Sequence, residues 1–139
     1  MDIKQAVNYV ASKFVYKKDP KIFDYWSVMQ EEDGKMRGDC DDFALTCLWK
    51  VCDRNLIKFF INVFVLHKYR IYFCKTRTGE LHAVGYAQGL YFDNWTRQAL
   101  PKQEFLQKTN HKIYFFFVSP MMVFPMILGL LLTYFRKKD

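Results

Sequence analysis

The order of patterns along the chain predicts an α+β fold, with helices first and an antiparallel sheet after them. Three observations carry this. Apolar residues recur at helical spacing twice before residue 52. From residue 57 onward, β-branched and aromatic runs replace them. Turn signals such as Gln88-Gly89 separate those runs at hairpin distance. The 139 residues suit one compact domain, and with 51% hydrophobic and 19% aromatic residues the chain is not of a disordered type.

The first helix carries Ile3, Ala6, Val7, Val10 and Phe14 on one stripe and is expected to run to about Lys17-Lys18-Asp19-Pro20, where proline stops it. Residues 21–37 read as irregular or partly helical, with Phe23, Tyr25 and Trp26 as anchors and residues 31–35 as a surface loop. A second helix opens at Asp39 or Cys40 and buries Phe43, Ala44, Cys47, Leu48 and Val51. Asp41 and Asp42 sit in its first turn, where the helix dipole favours acids. Residues 57–66 (IKFFINVFVL) read as a buried strand and 70–75 as the next. Thr76 to Gly79 is a turn, 80–87 and 90–95 are two strands, a polar stretch with Pro101 follows, and 113–118 reads as a last strand.

A net charge of +7 suits nucleic acid, an acidic polymer or anionic lipid. The basic residues are scattered and no nucleic-acid-reading motif accompanies them, so no nucleic-acid partner is expected. None of the four cysteines forms a Cys-x-x-Cys pair and none has a histidine at zinc spacing. Cys47, Cys52 and Cys74 read as small core residues. Cys40 differs, because it stands among three aspartates at a helix start (MRGDCDDFALTC, residues 36–47). A helix N-terminus favours thiolate, whereas the aspartates oppose it.

A two-residue loop at Gln88-Gly89 pairs Ala87 with Leu90, Val84 with Asp93 and His82 with Trp95. His82, Val84, Tyr86, Tyr91, Asp93 and Trp95 then share one face. His82 and Asp93 become diagonal neighbours within hydrogen-bonding reach. The other face carries the small residues Ala83, Gly85 and Ala87, which implies a bulky neighbour. Cys40 as nucleophile, His82 as general base and acid, and Asp93 as the group orienting His82 make a coherent set for acyl transfer, provided the tip of the second helix reaches the His82 face. His67 and His111 read as structural histidines.

These residues resemble a known family. GDCDDFAL resembles the Gly-Asp-Cys-Glu/Asp-Asp-aromatic-Ala motif of bacterial transglutaminase-like cysteine peptidases. Asp24, Tyr25 and Trp26 resemble their Asp-Tyr-Trp element, His82-Ala83-Val84 their histidine strand, and Tyr91-Phe92-Asp93-Asn94 their aspartate strand. The resemblance covers about residues 20–101. It implies a papain-like transglutaminase core, with Cys40 matching the nucleophile, His82 the base and Asp93 the orienting acid. It also implies a protein or peptide substrate, a peptidoglycan stem peptide among the options. Some members bind calcium near the cysteine motif. Asp39 and Asp41 occupy comparable positions here but read as a surface acidic turn, so no metal or cofactor is assigned. Small members occur in bacteriophages, which suits the length of this chain.

The domain is expected to span 1–118, with a separate apolar segment at 119–139. Residues 113–135 carry no charge, and Arg136, Lys137 and Lys138 follow. Pro120 and Pro125 argue against one straight helix. The expectation is a strand and then an apolar helix at 121–135, about 22 Å long and marginal for a bilayer span. Its partner is membrane lipid or another protein. The N-terminus lacks a secretory pattern. Together these features suggest a membrane-associated thiol hydrolase of a bacterial envelope or a phage virion. The competing reading is a non-catalytic structural or membrane-docking component on the same fold.

Overall fold

The computed structural model describes residues 1–17, 28–117 and 131. The segment with Phe23 to Trp26, the expected apolar helix at 121–135 apart from Leu131, and the basic end at 136–138 lie outside the described residues. No helix among the described residues is long and apolar enough to cross a membrane.

Helix α1 (Ile3–Lys13) opens on a capping box. The Asp2 side chain accepts from Gln5 N, and Gln5 Oε1 accepts from Asp2 N. Its stripe of Ile3, Ala6, Val7 and Val10 is buried, as the spacing predicts. The helix stops at Lys13, earlier than Pro20. Phe14 turns into extended backbone and begins a short strand, β1 (Phe14–Tyr16). β1 pairs in parallel with β3 (Lys35–Gly38), which also pairs with β2 (Glu31–Glu32). The expected surface loop at 31–35 is therefore a tight hairpin. Asp33 and Gly34 supply its two positive φ angles.

Helix α2 (Cys40–Val51) is nearly all buried and is the centre of the domain. Its approach to β3 requires a glycine at position 38. A Cβ there would meet both Asp42 Cβ and Met29 Sδ at 2.8 Å.

The main departure from the sequence reading is residues 57–66, which are helical. Helix α3 (Leu56–Phe60) runs into a π-turn at Ile61–Val65. The Asn55 side chain caps its start by accepting from Lys58 N at 3.1 Å. Phe59 and Val63, four apart, face the core, as a helix requires. The run looked like a strand because its outward residues are also apolar, which hides the 3.6-residue period.

The main sheet is antiparallel, in the order β6 (Leu90–Phe92), β5 (Leu81–Ala87), β4 (Arg70–Lys75), β7 (Lys112–Phe117). The β5–β6 loop has two residues, Gln88 and Gly89, both at positive φ. Ala87 pairs with Leu90, Tyr86 with Tyr91 and Gly85 with Phe92, the register the sequence implies. But β6 ends at Phe92, so the expected strand to residue 95 and its pairs Val84–Asp93 and His82–Trp95 do not form. Helix α2 packs on β5. Phe92 fills the space over Gly85, where a Cβ would lie 2.3 Å from the ring. The polar stretch after Trp95 contains an unforeseen helix, α4 (Lys102–Thr109). It starts after Pro101 and ends at Asn110 in the left-handed conformation. Its Phe105 joins Cys74 and Val84 in a second, smaller core.

Candidate active site

Cys40 is the first residue of α2, held there by reciprocal capping between Asp39 and Asp42. Asp39 Oδ1 accepts from Asp42 N at 3.3 Å, and Asp42 Oδ2 accepts from Asp39 N at 3.4 Å. Thr46 Oγ1 donates to Asp42 O and accepts from Met29 N, tying the helix start to the preceding segment. Asp41 and Asp42 are buried, so the acidic turn is not the surface feature the sequence suggested.

His82 lies on β5 and Asp93 just beyond β6, and both are buried. Their side chains meet: His82 Nε2 is 2.8 Å from Asp93 Oδ2. A second histidine, His111, places its own Nε2 2.8 Å from the same oxygen. The other oxygen, Oδ1, accepts from Thr96 N and Thr96 Oγ1, both at 2.8 Å. Burial alone would raise the Asp93 pKa. The donors His111, His82 and Thr96 outweigh it and hold the carboxyl well below the usual carboxylate range. An ionised Asp93 accepts only, so each Nε2 carries a proton and, in a neutral ring, each Nδ1 is bare. In His82 that bare nitrogen is the available base. In His111 it is buried and has no hydrogen-bond partner among the described residues.

His111 read as structural from sequence alone, and α4 delivers it. The left-handed Asn110 ends that helix, and His111 N then donates to Thr109 Oγ1. Pro101 at the start and Asn110 at the end were the available signals. Trp95 packs on both imidazoles, at 5.5 Å from His82 and 5.0 Å from His111.

Cys40 and His82 line one cleft of about 330 Å³ with Tyr16, Asn94, Trp95 and Arg97 on its walls. The backbone of Ala83, the residue after His82, lies near enough to the Cys40 thiol to help lower its pKa. Helix α2 thus packs on β5 while its tip opens into the cleft that His82 faces. The thiol is not activated at rest. Burial first, then the Asp41 charge and, more weakly, that of Asp39, push it up to about 12, and hydrogen bonds from the Ala83 and Asp41 backbone only partly oppose them. Cys52 and Cys74 are also pushed up to about 12 by burial, and buried Cys47 well above its ordinary value. Thiolate content does not single out Cys40, whereas its place in the cleft does.

Among the described residues, two groups have donor sets that could hold a metal. Asp39, Asp41 and Asp42 bring three carboxylates within 4.8 Å of one another, oxygen donors of the kind hard cations take. His82, Asp93 and His111 also converge, and their ligand atoms already hydrogen-bond one another.

No family model matches the chain, and no curated protein does. Among solved structures it is similar to LapG of Legionella pneumophila. An EGTA-treated form matches with a TM-score of 0.53 and 22% identity over 80% of this chain and 59% of that one. A second LapG structure matches with a TM-score of 0.51 and 23% identity over 81% and 63%. The chain thus spans about six-tenths of the length of those proteins, and at this identity the likeness establishes a shared α+β fold.

Proposed function

We propose that the protein is a cysteine peptidase or amidase of transglutaminase-like type, with Cys40 as nucleophile, His82 as general base and acid, and Asp93 as the orienting acid. The observation that carries this is the buried His82–Asp93 pair opening into the cleft that holds Cys40. The LapG-like fold supports it. The neutral thiol requires His82 to take the Cys40 proton as sulfur attacks a carbonyl carbon. The resulting imidazolium, held against Asp93, then donates that proton to the leaving amine. Water, deprotonated by the same ring, cleaves the thioester and releases the acid. An amine in place of water would give transfer. Backbone N–H groups at the α2 start are suited to the oxyanion. The substrate class is a protein or peptide, peptidoglycan stem peptides included. The test is labelling with an acyl-type thiol probe, which Cys40→Ala should abolish.

One observation favours a second reading. A thiol pushed up to about 12 suits a retired site on a docking protein. Equal probe reactivity of wild type and His82→Ala would support it. We further propose that the apolar segment at 121–135 brings the chain to a membrane surface. Flotation of the full chain with liposomes tests that, and a chain that stays monomeric and unbound overturns it.

A further inference from the structure

The helical ridge made by α3 and the π-turn is apolar on both sides, yet only one side is covered. Phe59 and Val63 are fully buried. On the outward side Ile57 is 72% exposed, Phe60 50%, Ile61 41% and Val65 58%, and Leu66, just past the turn, is 52% exposed. Ile57, Ile61 and Val65 follow one another at four-residue spacing, with Phe60 beside them, so they form a continuous stripe. A helix apolar all round is normally enclosed, and a protruding apolar stripe of this size marks an interaction surface.

The charges around the stripe indicate its partner. From residue 54 to residue 79 the chain carries Arg54, Lys58, Lys68, Arg70, Lys75 and Arg77 and no Asp or Glu. Arg54, Lys58 and Lys68, the basic residues nearest the stripe in sequence, are all exposed. The nearest acid in sequence, Asp53, pairs with Lys58 in an exposed salt bridge that costs little to rearrange. An apolar ridge whose flanks are basic, with Asp53 as the one acid beside it in sequence, is the pattern of a helix lying in the headgroup region of an anionic bilayer. A protein partner would more often be met by a mixed polar rim.

We propose that the outer face of residues 56–66 docks on anionic lipid, with Ile57, Phe60, Ile61 and Val65 entering the acyl boundary and Arg54, Lys58 and Lys68 contacting lipid phosphates. This is independent of the hydrolase reading. It adds a second contact to the membrane association proposed for residues 121–135, which stay unchanged in every variant below.

The experiment is vesicle co-sedimentation of the full chain with phosphatidylcholine alone and with phosphatidylcholine–phosphatidylglycerol mixtures. The variants are the triple Ile57→Gln, Phe60→Gln, Ile61→Gln and the double Lys58→Gln, Lys68→Gln, each checked for native circular dichroism. Exposed helical positions accept glutamine without loss of fold. The expected result is binding that phosphatidylglycerol strengthens beyond what residues 121–135 give on phosphatidylcholine alone; that gain falls about tenfold or more in the triple variant, and several-fold in the double variant and in high salt. Equal binding by wild type and the triple variant overturns the proposal, even if residues 121–135 still carry the chain to vesicles. So does binding indifferent to lipid charge. Dimerisation without lipid that the triple variant abolishes assigns the face to a second copy instead and also overturns it.

Discussion

The two halves of the candidate site are in opposite states of preparation. Around Asp93, four hydrogen bonds stabilise the charged form and overcome burial. Around Cys40, burial and two aspartates stabilise the uncharged form, and the backbone hydrogen bonds are too few to reverse them. Both groups sit in low dielectric, so burial does not explain the contrast; the sign and number of neighbouring dipoles and charges do. On the proposed reading, the acid–base half is ready before substrate arrives, and Cys40 needs its proton removed during the reaction.

This contrast can be broken from either side. The largest effect should come from Asp93→Asn. The amide cannot stabilise an imidazolium and its NH₂ faces donors, so turnover should fall by about 10⁴-fold, the scale known for such pairs, while Cys40→Ala abolishes it. Steady-state kinetics with correctly folded variants checks this. Turnover within tenfold of wild type would separate Asp93 from the chemistry.

Replacing His111 tests whether the second imidazole is needed to hold the charge. His111→Leu removes one donor from Asp93 and should cost about 2 kcal/mol at neutral pH, in the range for hydrogen bonds to charged groups. His111→Gln, which keeps a donor, should recover much of it. The sign of the pH dependence follows from the lowered Asp93 pKa. The stabilisation is present above the unfolded carboxyl value of about 3.9 and is lost as pH falls through the lower folded value. Urea unfolding of both variants should show the gap narrowing below about pH 4. A gap constant down to pH 2 would assign His111 to packing alone.

The smallest effect belongs to the nucleophile half. Asp41→Asn removes the largest charge contribution to the raised Cys40 thiol. A drop of one pKa unit gives about tenfold more thiolate, offset by lower intrinsic nucleophilicity, so Cys40 alkylation at pH 8 should quicken about threefold. Iodoacetamide kinetics read by mass spectrometry checks it, and slower alkylation would show that Asp41 acts mainly through the helix start.

Legibility in the sequence followed the same physical lines. The β5–β6 hairpin could be read because alternation by two and a two-residue loop leave one register, which holds as far as the Gly85–Phe92 pair. The meeting of His82 with Asp93 was also expected, but Asp93 makes it from the turn after β6 and not from a strand position. Helix α2 could be read because its capping acids precede an apolar stripe. Residues 57–66 could not, since an apolar outer face hides the helical period. Nor could the burial of Asp41 and Asp42, because local sequence does not show that β3 and Met29 close over that turn. His111 was missed with α4, whose weak amphipathicity leaves only its two ends as signals.

The proposed chemistry turns on whether His82 activates Cys40. The measurement is the second-order rate of Cys40 acylation by a thiol-reactive acyl probe in wild type and His82→Ala, both with native circular dichroism, followed across pH 5–10. A wild-type rate at least a hundredfold above the variant near neutral pH, with the ratio narrowing toward pH 10 as hydroxide begins to deprotonate a thiol pushed up to about 12, is the predicted result. Equal rates at every pH would contradict it and leave a cysteine that only resembles a nucleophile.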